Sequence, residues 1–221
     1  MHASGESERP APGETYNPGP PTLPRQAASV IVLRDGVDGQ RGASDDAGQL
    51  EVLLVKRTPK ARFMGGVWVF PGGAVDAQEG EGDSAHRVAA VRELSEEASI
   101  ALDTPEALVK FSRWITPAEV QIRFDTHFFL AVLPAGQEPR IDGEECVDLG
   151  WFTPAGALDA HRDGEIMLVF PTIKHLEQLG AFASVDSLMT YARGRDVQPV
   201  QPRVLVEGEV ARIVLPGEPG Y

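Results

Sequence analysis

The stretch from Val67 to Ile100 constrains this chain more than any other. The apolar run Val67-Trp68-Val69-Phe70 predicts a short strand that stops at Pro71-Gly72-Gly73, and a helical pattern follows from Asp83 to Ala98. Val88, Val91, Leu94 and Ala98 fall at three- and four-residue spacings, a stripe that would face a core. Asp83 or Ser84 suits the N-cap. A second demand comes from Arg92-Glu93-Leu94-Ser95-Glu96-Glu97, where Glu93, Glu96 and Glu97 stand at i, i+3 and i+4 and share a helix face. At separations of about 6 Å and an effective dielectric near 20, each pair of carboxylates repels by roughly 3 kcal/mol. A solvated outer face screens part of that repulsion. A concave face does not, unless a divalent cation sits among the acids, and hard cations such as Mg²⁺ take oxygen ligands of this kind while bridging to substrate phosphates. Gly72 and Gly73 let the backbone approach a ligand closely, and Arg92 can pair with Glu96 or hold another acid in its planar fork.

Around this segment the chain reads as strands interrupted irregularly by helices. Val30–Leu33 and Leu50–Arg57 are apolar runs joined by a Gly/Asp-rich connection, which suggests a hairpin-like pair with a long exposed loop. Further strands are expected near Val109–Trp114, Phe124–Leu133 and Val147–Phe152. Thr153-Pro154 marks a helix start, and two more helices are expected at Pro171–Leu179 and Val185–Ala192. Val204–Val206 and Val210–Leu215 form a terminal hairpin around Glu207-Gly208. This pattern predicts a mixed α/β layered domain over residues 27–221. Residues 1–26, rich in Pro with little to bury, read as a disordered or extended N-terminal tail.

The charge balance excludes several classes. Thirty-three acids against twenty bases leave a net charge of −13, with no basic run to hold a nucleic-acid backbone, so no nucleic-acid partner is expected. Cys146 is the only cysteine, which excludes an intrachain disulfide and any cysteine-based metal cluster. The longest apolar stretch, Phe128–Leu133, is far too short to span a bilayer, and the first residues lack the layout of a signal peptide. No membrane partner is therefore expected, and the expected compartment is the cytoplasm.

Gly73 to Ile100 resembles the Nudix box, G-x5-E-x7-R-E-U-x-E-E-x-G-U with U a bulky aliphatic residue: Gly73 is followed after five residues by Glu79, Arg92–Ala98 matches the helical core, and Ile100 the final aliphatic position. The resemblance implies an α/β/α sandwich with a mixed β-sheet, here with extra C-terminal helices, and metal-dependent hydrolysis of a substituted diphosphate. It implies two or more Mg²⁺ (or Mn²⁺) ions held by Glu93, Glu96 and Glu97, a further ligand from the Gly72 carbonyl, and Arg92 orienting the acids. Two positions depart from the pattern. Twelve residues separate Glu79 from Arg92 instead of seven, so the early glutamate's role stays with Glu79, passes to Glu81 or Asp83, or is vacant. Ser99 stands where the family has glycine, at a cost on the order of 1 kcal/mol if that residue must be left-handed.

Upstream, Leu53-Leu54-Val55-Lys56-Arg57-Thr58, Arg62, Gly66 and Phe70-Pro71-Gly72-Gly73 are similar to the pattern L-L-T-x-R-S-x3-R-x3-G-x3-F-P-G-G associated with coenzyme A diphosphatases. Arg123–Phe129 and Pro171-Thr172 extend the likeness to the branch with a long box spacer. Coenzyme A or an acyl derivative is thus the expected small-molecule nucleotide substrate. ADP-ribose, NADH and a non-catalytic nucleotide-binding module are the alternatives, and family analogy suggests a homodimer. Candidate substrate-binding residues are Arg57 and Arg62, whose forks suit phosphate, together with Phe70, Gly72 and Gly73; Arg123 is a further candidate. Each arginine could instead pair with a surface acid, and Phe70 or Trp68 could pack a core instead of stacking on a base. Glu144 or Glu145 could supply an acid from outside the box. His86 reads as a solvent-facing or capping residue and His127 as a satisfied, half-buried side chain; Cys146 carries no signature of an activated thiol.

Overall fold

A computed structural model describes residues 16–17, 19–36, 49–61, 63–207 and 210–221. Its centre is β1 (Arg25–Asp35), in which Ala27 to Leu33 are all buried. Burial on both faces of one strand requires neighbours on both edges and cover above and below. β6 (Phe124–Val132) supplies one edge, running parallel to β1 from Arg25↔Phe124 to Leu33↔Val132. The other edge is shared between β2 (Leu50–Arg57), antiparallel to the end of β1, and β4 (Gly72–Ala74), antiparallel to its beginning. β3 (Trp68–Val69) and β7 (Cys146–Phe152) add to β2, while β5 (Val109–Ile115) pairs with β6 and β8 (Pro199–Val200) with β5. The result is an eight-stranded mixed sheet; β9 (Arg203–Glu207) and β10 (Val210–Val214) form a separate hairpin.

The period of two in β1 sorts the core into two layers. Val30 and Val32 point to one face, where they meet Leu53, Phe129 and the helix α1 (Gly82–Ala98). Ile31 and Leu33 point to the other, where α2 (Pro154–Arg162), α3 (Phe170–Leu179) and α4 (Val185–Arg193) bury Ala157, Leu176, Leu179 and Leu188. This is the expected α/β/α sandwich with extra C-terminal helices. Thr153 caps α2 by accepting from the Gly156 N–H at 3.1 Å, with Pro154 in the first turn.

Several expectations are corrected. Val88 of α1 is exposed; the buried face is Ala85, Ala89, Ala90, Leu94 and Ala98, so alanines bring the helix against the sheet. Neither Asp83 nor Ser84 caps α1, which starts after Glu81; Asp83 bonds Arg87 and Lys110 instead. The Gly72-Gly73 stop is itself the short strand β4. β1 begins at Arg25, within the span read as tail. Tyr16 bridges to Val120 and the Thr22 hydroxyl donates to the Gln121 carbonyl. Residues 1–15 of that tail, most of the loop between β1 and β2, and Gly208 lie outside the described residues. Among the described residues, no helix is long and apolar enough to cross a membrane.

Candidate active site

The site is assembled on the backbone of β4. The Val30 N–H donates to the Pro71 carbonyl at 2.8 Å and the Ser29 hydroxyl donates to the same oxygen at 2.9 Å, which pins the loop that enters β4. A Cβ on Gly72 would lie 2.4 Å from the Ala28 carbonyl oxygen, so no side chain fits there. A Cβ on Gly73 would lie 2.3 Å from Glu93 Oε1, which shows that the Glu93 carboxylate rests directly on this glycine. From the next turn of α1, Glu97 reaches back so that its Oε2 accepts the Gly72 N–H at 2.9 Å.

Glu93 and Glu97 are therefore drawn into the protein. Glu97 is 2 % exposed, and burial pushes its carboxyl up to about 7, against the Gly72 N–H and with Glu93 adding to the rise. Glu93 is likewise pushed up, first by burial, against the pull of Arg92. Glu145, exposed on the loop before β7, raises both. That loop is fastened by Asp142, whose carboxylate accepts the N–H groups of Glu144, Glu145 and Cys146 at 3.1, 2.7 and 2.9 Å. Sequence reading missed Asp142; an acid two to four residues before the amides it accepts is the Asx-type signal that marks it. Cys146 is buried and its thiol is pushed up by burial and then by Glu97, as suits an inert side chain.

Glu96 does not join them. Its side chain is 60 % exposed and is held at 3.0 Å by Arg92 Nη1. Of the three glutamates expected to hold metal, Glu93 and Glu97 turn inward and Glu96 lies at the rim. On the helix, i and i+4 share the inward face while i+3 turns to solvent, and among the described residues no three His, Cys, Asp or Glu side chains gather into a ready metal cluster. The inward pair still fits a hard divalent cation. Its donors are all oxygen, the charge of Glu145 acts on both members, and its burial leaves negative charge that protein groups only partly compensate.

Arg92 ties the acids together. Its Nε donates to Glu79 Oε1 at 2.9 Å, Nη1 to Glu93 Oε1 at 2.7 Å, and Nη2 to the Ala74 carbonyl at 3.0 Å. Glu79 lies in a 3-10 turn, Ala77–Glu79, and its other oxygen accepts the Asp76 N–H at 2.7 Å. Burial raises the Glu79 carboxyl, but Arg92 and the Asp76 N–H together hold it below the usual range. Glu81 and Asp83 take no part in this knot.

Arg57 closes the far side of the site. The pairing of β2 with β7 slips between Lys56 and Arg57, and the guanidinium comes to 3.7 Å from Glu97 Oε1, while its Nε is buried without a partner among the described residues. Arg62 lies outside the described residues. Phe70 does not face the site: it is buried in the opposite layer with Phe111 and Phe128, its ring 6.1 Å from that of His175, and Trp68 packs edge-on against Phe152. Arg123 is also structural, donating to the carbonyls of Thr116 and Thr22.

A second concavity of about 540 Å³ lies at the start of α1, roughly 20 Å along the helix from Glu97. Its charges pair among themselves. Asp83 bonds Lys110 and Arg87, which outweigh burial and hold it at about 2, and Arg113 forks onto Asp125 at 2.8 and 2.6 Å. His86, read as a solvent-facing or capping residue, is buried here, its Nδ1 2.7 Å from the Gly82 carbonyl, and stacks on His127 at 3.7 Å; among the described residues His127 Nδ1 has no hydrogen-bond partner.

A family model described as the NUDIX domain matches residues 24–169. A Caenorhabditis elegans protein named as a nudix hydrolase is 29 % identical over 188 residues, covering 69 % of this chain and 62 % of that one. A Xenopus laevis protein named acyl-coenzyme A diphosphatase NUDT19 is 22 % identical over 250 residues, covering 70 % and 66 %. The chain thus spans less than two thirds of the length of these curated relatives. Among solved structures, a NUDIX hydrolase from Alicyclobacillus acidocaldarius superposes with a TM-score of 0.65 at 28 % identity, over 76 % of this chain and 96 % of that one.

Proposed function

This chain belongs to the Nudix family, and from that premise we propose that it is a metal-dependent hydrolase of the diphosphate linkage in a nucleoside diphosphate derivative, with coenzyme A or acyl-coenzyme A as substrate. The observation that carries the reading is the pair Glu93 and Glu97, turned inward over Gly72-Gly73 and locked by Arg92 and the Gly72 N–H. Glu93 and Glu97 would hold Mg²⁺ or Mn²⁺, with the Gly72 carbonyl as a further ligand and Glu96 at the rim. Bound there, the cation supplies charge neutralisation for the diphosphate and a lowered pKa for an attacking water.

The chain's own groups do the rest. The missing side chains of Gly72 and Gly73 let the β1 backbone and the Glu93 carboxylate close on this loop, and Arg57 offers a guanidinium fork to a phosphate oxygen. Arg62 is proposed alongside it from the sequence pattern alone. Glu145, an acid outside the helix whose charge acts on both inward glutamates, would take the proton of the attacking water. The coenzyme A assignment is supported by the run Leu53–Gly73 and by relatives that carry the name acyl-coenzyme A diphosphatase. A cytoplasmic location is supported by the acidic, single-cysteine composition, and a homodimer by family analogy, which sedimentation tests.

The test is product chromatography with coenzyme A, ADP-ribose and NADH, with and without Mg²⁺. Release of adenosine 3′,5′-bisphosphate from coenzyme A, lost on chelation and in Glu97→Gln, is the expected result. Turnover of ADP-ribose or NADH without coenzyme A would replace the substrate, and nucleotide binding without turnover under every metal would replace the activity with a binding module.

A further inference from the structure

Glu93 and Glu97 bring two carboxylates to the Gly72-Gly73 loop, with the charge of Glu145 acting on both, and the two guanidinium groups beside them are engaged very differently. Arg92 is committed to Glu79, Glu93, Glu96 and the Ala74 carbonyl through short hydrogen bonds. Arg57 stands 3.7 Å from Glu97 Oε1, close enough for charge attraction and too far for a hydrogen bond. Among the described residues its Nε is buried with no acceptor, an arrangement that costs free energy. One quarter of the side chain is exposed, so the guanidinium borders the cleft and can turn toward it.

We propose that Arg57 is a resident counter-ion of the inward glutamates, holding Glu97 by charge until a divalent cation takes over that work, and that it then turns to an oxygen of the substrate's phosphate. The proposal rests on the reading of this site as a metal-dependent diphosphatase. A cation among Glu93 and Glu97 repels a guanidinium beside the same carboxylate, and it removes the attraction that keeps Arg57 there. A phosphate oxygen then offers what Glu97 does not, an acceptor placed for both Nε and a terminal N–H. Arg57 is thus a positioning residue for Glu97 in one stage and a substrate contact in the next, so that metal and nucleotide are taken up in order.

The idea separates cleanly from a permanent structural or phosphate-binding role, because it requires Arg57 to compete with the metal. Mn²⁺ binding to the full chain, freed of metal by chelator, is followed by electron paramagnetic resonance at about pH 8, above the range in which protons compete for the carboxylates. Arg57→Gln, and Arg57→Met as a second variant that keeps the apolar stem, are expected to bind Mn²⁺ on the order of tenfold more tightly than the native chain. Arg57→Lys, which keeps the charge, stays near the native value. With Mn²⁺ saturating, the two neutral variants show a raised KM for the diphosphate substrate. Equal or weaker Mn²⁺ binding in both neutral variants, with native circular dichroism, overturns the counter-ion role and leaves the metal reading standing. A native chain that binds no Mn²⁺ sinks both.

Discussion

Arg92 donates to Glu79 at 2.9 Å across a spacer of twelve residues. Were the chain helical throughout that interval, the two would stand about 20 Å apart. The chain instead closes a 3-10 turn at Ala77–Glu79, reverses through Gly80 and Gly82, both with positive φ, and only then starts α1, so Glu79 lies back along the helix at the level of Arg92. Glu79→Gln should therefore lower kcat by about 10–100-fold, the usual loss when a supporting partner of a site is removed. Glu81→Gln and Asp83→Asn should leave kcat within about twofold. Steady-state kinetics on the three variants decides which acid holds the role.

Ser99 ends α1 in the left-handed region, with φ 54° and ψ 30°, its N–H donating to the Ser95 carbonyl at 3.1 Å while Ile100 is buried one residue on. A β-carbon is disfavoured there and glycine is not. Ser99→Gly is expected to stabilise the fold by about 0.5–1 kcal/mol, the relief being partly offset by glycine's greater freedom in the unfolded chain. Urea unfolding monitored by circular dichroism measures this, and a loss of stability would mean that the serine side chain holds something the backbone does not reveal.

Much of this was legible in sequence, and the failures have physical causes. Apolar runs and periodicity located β1, β2, β5, β6, α1, α3 and α4, because each carries enough apolar side chains to show, and Thr153-Pro154 located the start of α2. It misjudged the face of α1, since Ala85, Ala89 and Ala90 weigh less than Val88 by hydropathy yet pack closer. It read Gly72-Gly73 as a stop, since a strand whose value lies in having no side chains leaves no apolar signature. The spacing of Glu93, Glu96 and Glu97 was visible, but which of them turns inward depends on where the sheet meets the helix. Glu145 and Arg57 reach the site through the Asp142 loop and a slip in the β2–β7 pairing, neither of which has a local pattern at the residue it repositions.

Two histidines set the acid side of the stability profile. His175 is wholly buried, its Nδ1 donating to the Pro171 carbonyl at 2.6 Å and its Nε2 facing the Ser112 hydroxyl, and burial lowers it to about 4. His127, packed against His86 and facing Asp83, Lys110, Arg113 and Asp125, is also lowered to about 4, by burial and then by the nearby cations. Both are neutral in the folded chain, whereas an unfolded histidine titrates near 6.5. At these two positions the unfolded state therefore binds more protons as pH falls below about 6.5, and their contribution to stability drops until the folded-state values near 4 are passed. Glu97, raised to about 7, opposes this by gaining stability as pH falls through the same range, so the loss is read in a Glu97→Gln background: there, melting temperatures between about pH 7.5 and 4.5 should fall, and adding His175→Gln should flatten the curve.

Glu97 makes the opposite demand of stability from the one it makes of catalysis. Its carboxylate is buried and accepts the Gly72 N–H, and burial, with the charges of Glu93 and Glu145 adding to it, raises it to about 7, so at higher pH the fold carries an ionised group that would be better solvated outside. Glutamine keeps an oxygen for the Gly72 N–H and discards the charge. Glu97→Gln is therefore expected to raise stability by about 1–3 kcal/mol near pH 8 without added metal, while cutting kcat by several orders of magnitude. Glu96→Gln, at an exposed position tethered only to Arg92, should change stability by less than about 0.5 kcal/mol and lower kcat far less. Denaturant midpoints and turnover on the same preparations test both halves. A Glu97→Gln chain that is both inactive and unstable would mean that this carboxylate is a structural tie, and that its burial serves the fold instead of the chemistry.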